Sequence, residues 1–444
     1  MDLTQGPLAG KLLIFTLPVM LAGILQLLFN AADIIVVGRL AGSNSLAAVG
    51  SNGALINLIV NLLVGLSVGS GVAAAYFYGA GEKEQVKETI HTSVAISLLG
   101  GVVTGIIGVI LSPILLRLMG TPESILGLSQ LYLRIYFLGM PAMSAYNFGS
   151  AILRSLGDTK HPLLYLIIAG IVNIILNVIL VAVFHLDVAG VAIATVISQT
   201  ISAVLLFRCL MRLEPEMCLE WRKVRISKQK LIRILRVGLP AGLQSTVFSF
   251  SNVLIQSSIN GFGELAVAGN SAAGNIEGFI YIAMNSFYQA AQTFTSQNVG
   301  ARRFERINKV FLYCFLMVTA TGLVLGQAAY RMGNQLLGIY LPGNIAAIEY
   351  GMIRLSIIAS MYCLCGIMEV ISGEIRGMGE SVLPMIVSLV GSCVLRVIWI
   401  CTVFAAHHTL TVLYLSYPVS WIVTEFAHLM TYFYVKRRLI RSVL

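Results

Sequence analysis

Residues 12–37 read LLIFTLPVMLAGILQLLFNAADIIVV. A helical run of this length crosses a bilayer, which takes about 20 apolar residues. Two residues interrupt its apolar character. Pro18 removes a backbone donor in the first half and loosens or kinks the helix there. Asp33 follows fifteen residues later, with Asn30 about one turn before it on the same face. A carboxylate at membrane depth costs at least about 2.5 kcal/mol even on the mildest insertion scale, so Asp33 is a functional candidate. The competing reading puts Asp33 near enough to the end of the span, with Arg39 six residues on, to reach the interface.

The rest of the chain has the same character. Of its 444 residues 57% are hydrophobic and only 11% charged, against about 25% charged in a typical soluble domain. With a mean hydropathy of +0.88, the expectation is an all-α, multi-pass membrane protein. A formal charge of +10 would suggest nucleic acid in a soluble chain. Here it reports cytoplasmic loops, and no nucleic-acid partner is expected. No cleavable signal peptide is expected, because the short polar start runs directly into a full-length span. The seven cysteines show no zinc-type spacing, and a disulfide framework is not expected.

Twelve spans are expected, near 12–37, 46–78, 92–116, 130–153, 163–184, 190–211, 237–260, 266–297, 309–331, 350–375, 383–406 and 411–435. With both termini in the cytoplasm, 23 of the 29 Lys and Arg residues fall in inner joints or tails, as the positive-inside rule requires of this orientation. Arg354 is among the five assigned to outer joints or helix ends, and Arg396 lies within a span. The chain also repeats itself. Leu17-Pro18 recurs as Leu239-Pro240, Asn30 as Asn252, and Arg154, Gly157, Asp158 and Pro162 as Arg376, Gly379, Glu380 and Pro384, each 222 residues on. Six spans per repeat preserve orientation, so the halves are expected to be related by an axis along the membrane normal. The divisions are then a lobe at 1–211, a basic cytoplasmic linker at 212–232 and a second lobe at 233–444. Two like-oriented lobes imply a central cleft and a rocking motion, the architecture of transporters.

Polar residues inside the spans are the site candidates. Asn173 and Asn177 are four apart in LIIAGIVNIILNVILVAVF, and Thr195 and Gln199 four apart in GVAIATVISQTISAV, so each pair shares a helix face. Asp33, Asn173, Asn177 and Thr195 together offer one negative charge and several neutral oxygens, the donor set that a hard monovalent cation prefers, with no thiolate or imidazole for a transition metal. The alternative is that these side chains only hydrogen-bond helices together. The repeat partner of Asp33 is Ile255, so the second half carries its acids elsewhere, with Glu277 and Glu369 as cleft candidates. Tyr281 and Met284 follow Glu277 on roughly one face and could hold a flat cation, or simply pack. Glu374 is expected at the interface, and Arg396 is expected to pair with one of the second-half acids. The histidines sit mostly at span ends and support no metal site.

Taken together, Pro18 with Asp33, the Arg154-x-x-Gly157-Asp158-Thr159-x-x-Pro162 joint, Asn173, Asn177 and Thr195 resemble the multidrug and toxic compound extrusion (MATE) transporters, over essentially the whole chain. That resemblance implies two six-helix bundles facing each other in a V. It implies a monomeric antiporter in the plasma membrane that exports cationic or amphipathic drugs in exchange for protons or sodium ions, with no cofactor. It carries cation binding onto Asp33, Asn173, Asn177 and Thr195, leaving Asn30 and Gln199 as neighbouring cleft residues. Other members carry an acid in the seventh span, and GLQSTVFSFSNVLIQ has none. Two rivals stand beside this reading. A lipid-linked precursor flippase would line its cleft with several basic residues, and an intramembrane enzyme would show a metal motif or an activated nucleophile.

Overall fold

The computed structural model describes residues 1–443, with the side chains of Ala54, Phe250, Ser442 and Val443 left aside. The described residues form helices joined by short turns, except for the longer segment 212–227, whose one helical element is the 3-10 turn Trp221–Lys223. The first half comprises α1 (Leu8–Leu40), α2 (Ser43–Gly79), α3 (Lys83–Leu118), α4 (Glu123–Leu138), α5 (Met140–Ser155), α6 (Lys160–Val183) and α7 (Asp187–Met211). The second comprises α8 (Lys228–Asn260), α9 (Glu264–Gly300), α10 (Phe304–Arg331), the short α11 (Gly333–Tyr340), α12 (Ile345–Ile357), α13 (Tyr362–Gly377), α14 (Val382–Phe404) and α15 (Leu410–Val443).

Two expected spans are not continuous. The fourth breaks at Gly139 into α4 and α5, because Pro141 near the start of α5 cannot donate to the preceding turn. The tenth passes from α12 to α13 through a 3-10 turn at Ala359–Met361. Among the described residues, eight helices are long and apolar enough to cross a membrane by length and composition. The sequence explains why others fall short. Helix α9 carries GNSAAGNIEG in its first half, and the apolar part of α15 is interrupted by Ser416, Tyr417, Pro418, Ser420 and Glu425.

The repeat reappears in backbone conformation. Gly157 and Gly379, 222 residues apart, both adopt left-handed φ values, of 82° and 88°, a region that glycine enters without steric cost. Each follows the arginine that ends its helix and allows the chain to reverse into the next one.

The chain forms two compact units. One comprises Met1 and residues 21–242, the other residues 2–20 and 243–444. The divisions fall inside α1 and α8, two residues beyond Pro18 and Pro240 respectively. A proline withdraws one intrahelical hydrogen bond, so each helix is weakest close to where it passes from one unit to the other.

In the first unit, the segment after α7 is docked rather than free. Met217 and Leu219 bury themselves against Val86, Ile90 and Leu210. Lys83 pairs with Glu214 and Glu216 at 2.9 Å, and Lys87 with Glu220 at 2.5 Å. Lys223 and Lys87 together hold the Glu220 carboxyl down at about 2, so the ion pairs of Glu220 are complete at neutral pH and are lost only as strong acid protonates that carboxylate.

Close helix approach in this unit depends on a small-residue stripe on α3. A Cβ on Gly101 would meet Pro141 Cα at 2.5 Å, and one on Gly105 would meet Phe137 O at 2.7 Å. This is the small-xxx-small device by which membrane helices gain packing without a hydrophobic driving force. Gly100, adjacent in sequence, faces open space. Gly105→Leu is therefore expected to lower stability by about 1–3 kcal/mol and Gly100→Leu to leave it near wild type. Thermal unfolding of the purified variants in detergent checks this.

Candidate functional site

The first unit gathers polar groups where α1, α6 and α7 meet. Asn177 is completely buried on α6, one turn beyond the buried Asn173. Its side-chain amide nitrogen donates to Asp33 Oδ1 at 2.5 Å and to Asn173 Oδ1 at 3.2 Å. Asp33 itself is half-buried near the end of α1, so its carboxylate turns inward to the amide rather than standing free at the helix end. Asn177 Oδ1 is buried without a hydrogen-bond partner. An orphaned buried acceptor carries a desolvation cost of about 1–3 kcal/mol, and beside an acceptor-rich pair it marks a place where a proton or small cation would be welcome. Just past Asn177, α6 widens into a π-helical turn over Ile179–Val183, a distortion common at functional sites.

The other first-unit candidates are less involved. The Thr195 hydroxyl donates to Val191 O of its own helix at 3.0 Å, and no described hydrogen bond joins it to the trio. Its lone pairs remain available as cation ligands. Asn30 is exposed and Gln199 half-buried, and neither bonds to the trio among the described residues. Pro18 lies within the unbroken α1. Sequence reasoning missed Tyr132 and Tyr136 of α4, whose rings stack at 6.1 Å within electrostatic range of Asp33. Their spacing of four was the available signal, but it does not say which neighbouring helix the pair faces.

The second unit contains a different arrangement. Arg354 of α12 grips Glu277 of α9 through both carboxylate oxygens, Nε to Oε1 at 3.0 Å and a terminal nitrogen to Oε2 at 2.7 Å. The side chains are 13% and 4% exposed. Arg354 also donates to Asn270 Oδ1 at 2.5 Å, which receives the Tyr414 hydroxyl at 3.2 Å. This network borders a cavity of about 480 Å³ that also touches Gln256, Asn275, Tyr417 and Trp421. A bidentate pair of this kind compensates two desolvated charges at once.

Glu277 lines this cavity with its carboxylate held by Arg354, a residue that the sequence reading had placed at an outer helix end; the pairing depends on which face of α12 meets α9. Three expectations for this half are corrected. Arg396 takes no acid partner among the described residues: its Nε donates to Ser420 Oγ at 2.9 Å, and its guanidinium lies 4.2 Å from the Tyr417 ring centre. Cation–π attraction and a hydroxyl suffice where a carboxylate was expected. Glu374 is not interfacial but fully buried, accepting from Thr295 Oγ1. Met284 lines no open surface, since it is fully buried where a Cβ on Gly322 or Gly366 would strike it. Tyr281 is partly exposed, and the half-buried Glu369 lies within electrostatic range of it.

Comparison with known proteins bears on both units. The MatE family model matches residues 18–179 and again residues 240–402, beginning at Pro18 and Pro240 with the offset of the internal repeat. A Bacillus subtilis protein called probable multidrug resistance protein YoeA is 28% identical over 384 residues, covering 85% of this chain and 82% of that protein. Multidrug export protein MepA of Staphylococcus saprophyticus is 22% identical over 372 residues, covering 82% of this chain and 81% of that one. A crystal structure of MATE in complex with MaL6 superposes with a TM-score of 0.89 at 25% identity, over 99% of this chain and 98% of the other.

The Glu277–Arg354 pair supplies a direct test of the geometry. Removing the guanidinium in Arg354→Ala strands a buried carboxylate and is expected to cost about 3–5 kcal/mol. The Glu277→Gln/Arg354→Met double variant should recover most of that loss. Thermal unfolding in detergent distinguishes the two outcomes.

Proposed function

This chain belongs to the MatE family of membrane transporters, and we propose that it is a cation-coupled antiporter that exports cationic and amphipathic drugs. The observation that carries this reading is the Asp33–Asn177–Asn173 trio, with its unpartnered buried amide oxygen. The naming of similar proteins as multidrug exporters supports the substrate class.

In this mechanism Asp33 is the charge that accepts the coupling ion, a proton or sodium. A proton neutralises it; sodium is ligated by Asp33 with the side-chain oxygens of Asn173, Asn177 and Thr195, all hard donors suited to that ion. No other cofactor takes part. Ion and drug must prefer different conformations, because a ligand shifts an equilibrium only by its differential affinity for the two states. Neutralising Asp33 removes the cost of keeping a charge beside apolar helices, and α1 repacks at its weakest turn, around Pro18. Release of the ion on the other side restores the charge and resets the cycle. Asn30 and Gln199 are the candidate drug contacts of the first unit, and Tyr281 and Glu369 those of the second. The protein works as a monomer in the plasma membrane with both termini in the cytoplasm, the orientation favoured by the Lys and Arg distribution. Residues 1–211 and 233–444 act as the two repeats, joined by the basic segment 212–232.

Reconstituted vesicles loaded with ethidium and given either a proton or a sodium gradient test the proposal. Wild type should respond to one of the two. Asp33→Asn should lower the ion-driven initial rate at least about tenfold, the effect of losing about 1.4 kcal/mol. A wild-type rate in Asp33→Asn would refute the assignment. Asn177→Ala, which leaves the carboxylate but removes its bridge to Asn173, should raise the ion concentration needed for half-maximal efflux without changing the ion used.

A further inference from the structure

A second cluster of ligating groups lies apart from the trio, where α6 begins and α7 ends. Asp158, His161 and Cys209 place one ligand atom each within 4.8 Å of one another. The first two are neighbours in sequence, but Cys209 comes from the far end of the next helix, so no spacing rule could have found the set. Asp158 divides its labour. Its Oδ1 caps α6 by accepting the backbone N–H groups of Lys160 and His161 at 3.2 Å each, and its Oδ2 meets His161 Nδ1 at 2.5 Å. Tyr165 shares a side-chain hydrogen bond with Cys209 and its ring lies 5.9 Å from that of His161, so it neighbours both ligands.

The internal repeat separates cap from cluster. At the 222-residue offset Asp158 becomes Glu380, whose Oε1 likewise accepts a backbone N–H, that of Val382. Helix capping therefore accounts for an acid in both halves. His161 becomes Leu383 and Cys209 becomes Thr431, so the joint folds without either ligand in the second half. The imidazole and thiol are additions that capping does not require.

We propose that Asp158, His161 and Cys209 form a binding site for a borderline divalent transition ion of the zinc class. One carboxylate oxygen, one imidazole nitrogen and one thiolate suit such an ion and not sodium or magnesium. Bond lengths of about 2.0–2.3 Å put tetrahedral ligands more than about 3 Å apart, so Asp158 Oδ2 and His161 Nδ1, now hydrogen-bonded at 2.5 Å, separate to admit the ion while Cys209 Sγ closes in, movements within the rotamer freedom of partly exposed side chains. The side chains of Asp158 and His161 are 30% and 52% exposed, so the ion has an entry path and water fills the fourth position. On binding, Cys209 gives up its thiol proton to solvent. A neutral His161 moves its proton from Nδ1 to Nε2 and presents the freed lone pair, so one proton leaves per ion bound. The ion then bridges the start of α6 to the end of α7.

Cobalt and zinc titrations of the purified full-length protein test this. The expected result is one cobalt ion per chain, with a thiolate-to-metal charge-transfer band and visible bands of tetrahedral intensity, all displaced by zinc. Cys209→Ser should abolish the charge-transfer band, while Cys218→Ser, which alters a cysteine outside the cluster, should keep it. His161→Ala, and Asp158→Asn (which retains an oxygen for the helix cap), should each weaken affinity at least about tenfold. Zinc should raise the thermal midpoint of wild type but not of these ligand variants. Absence of stoichiometric cobalt, a band that survives in Cys209→Ser, or unchanged affinity in the other two overturns the proposal.

Discussion

The hydrogen bond from the Asn177 amide to Asp33 is the interaction on which the functional reading of the first unit turns. An isolated carboxylate between apolar helices is expensive, and evolution can meet that expense in two ways: provide a counter-ion, or provide neutral dipoles. Here the partner is a fully buried asparagine that also reaches Asn173. A neutral donor leaves the carboxylate with its charge uncancelled. The proposed antiport requires such a charge, because a fixed arginine would leave a mobile cation nothing to neutralise.

The second unit takes the opposite course. Glu277 meets a bidentate guanidinium, with Asn270 and Tyr414 completing the network. Two charges removed from water compensate one another, and the pair is a structural fixture of a polar cavity. The internal repeat thus preserved the helical frame while the electrostatics diverged. Ile255, where the first half has Asp33, is itself a buried core residue of its unit.

The frame has its own physical logic. Helices α1 and α8 each change unit shortly after a proline, where the backbone ladder lacks one bond. Elsewhere, glycines let helices approach until backbone touches backbone, as along α3. Close packing holds each unit together, while the missing backbone bonds soften the two helices that pass from one unit to the other.

Much of this was legible in the one-dimensional chain. Length and continuity of apolar runs identify spans because a bilayer accepts only segments that satisfy their own backbone bonds. The 222-residue offset was visible because prolines and glycines such as Pro18, Pro240, Gly157 and Gly379 answer to local backbone geometry, which sequence encodes directly. Asp33, Asn173 and Asn177 stood out because polar groups in an apolar run are conspicuous wherever they point. The partners of those groups were not legible. Arg354 with Glu277, Arg396 with Tyr417, Tyr132 and Tyr136 near Asp33, and Cys209 beside His161 all depend on how one helix is rotated against another. That rotation is settled by the sum of many small packing contacts across separate helices, and no single position or spacing records it.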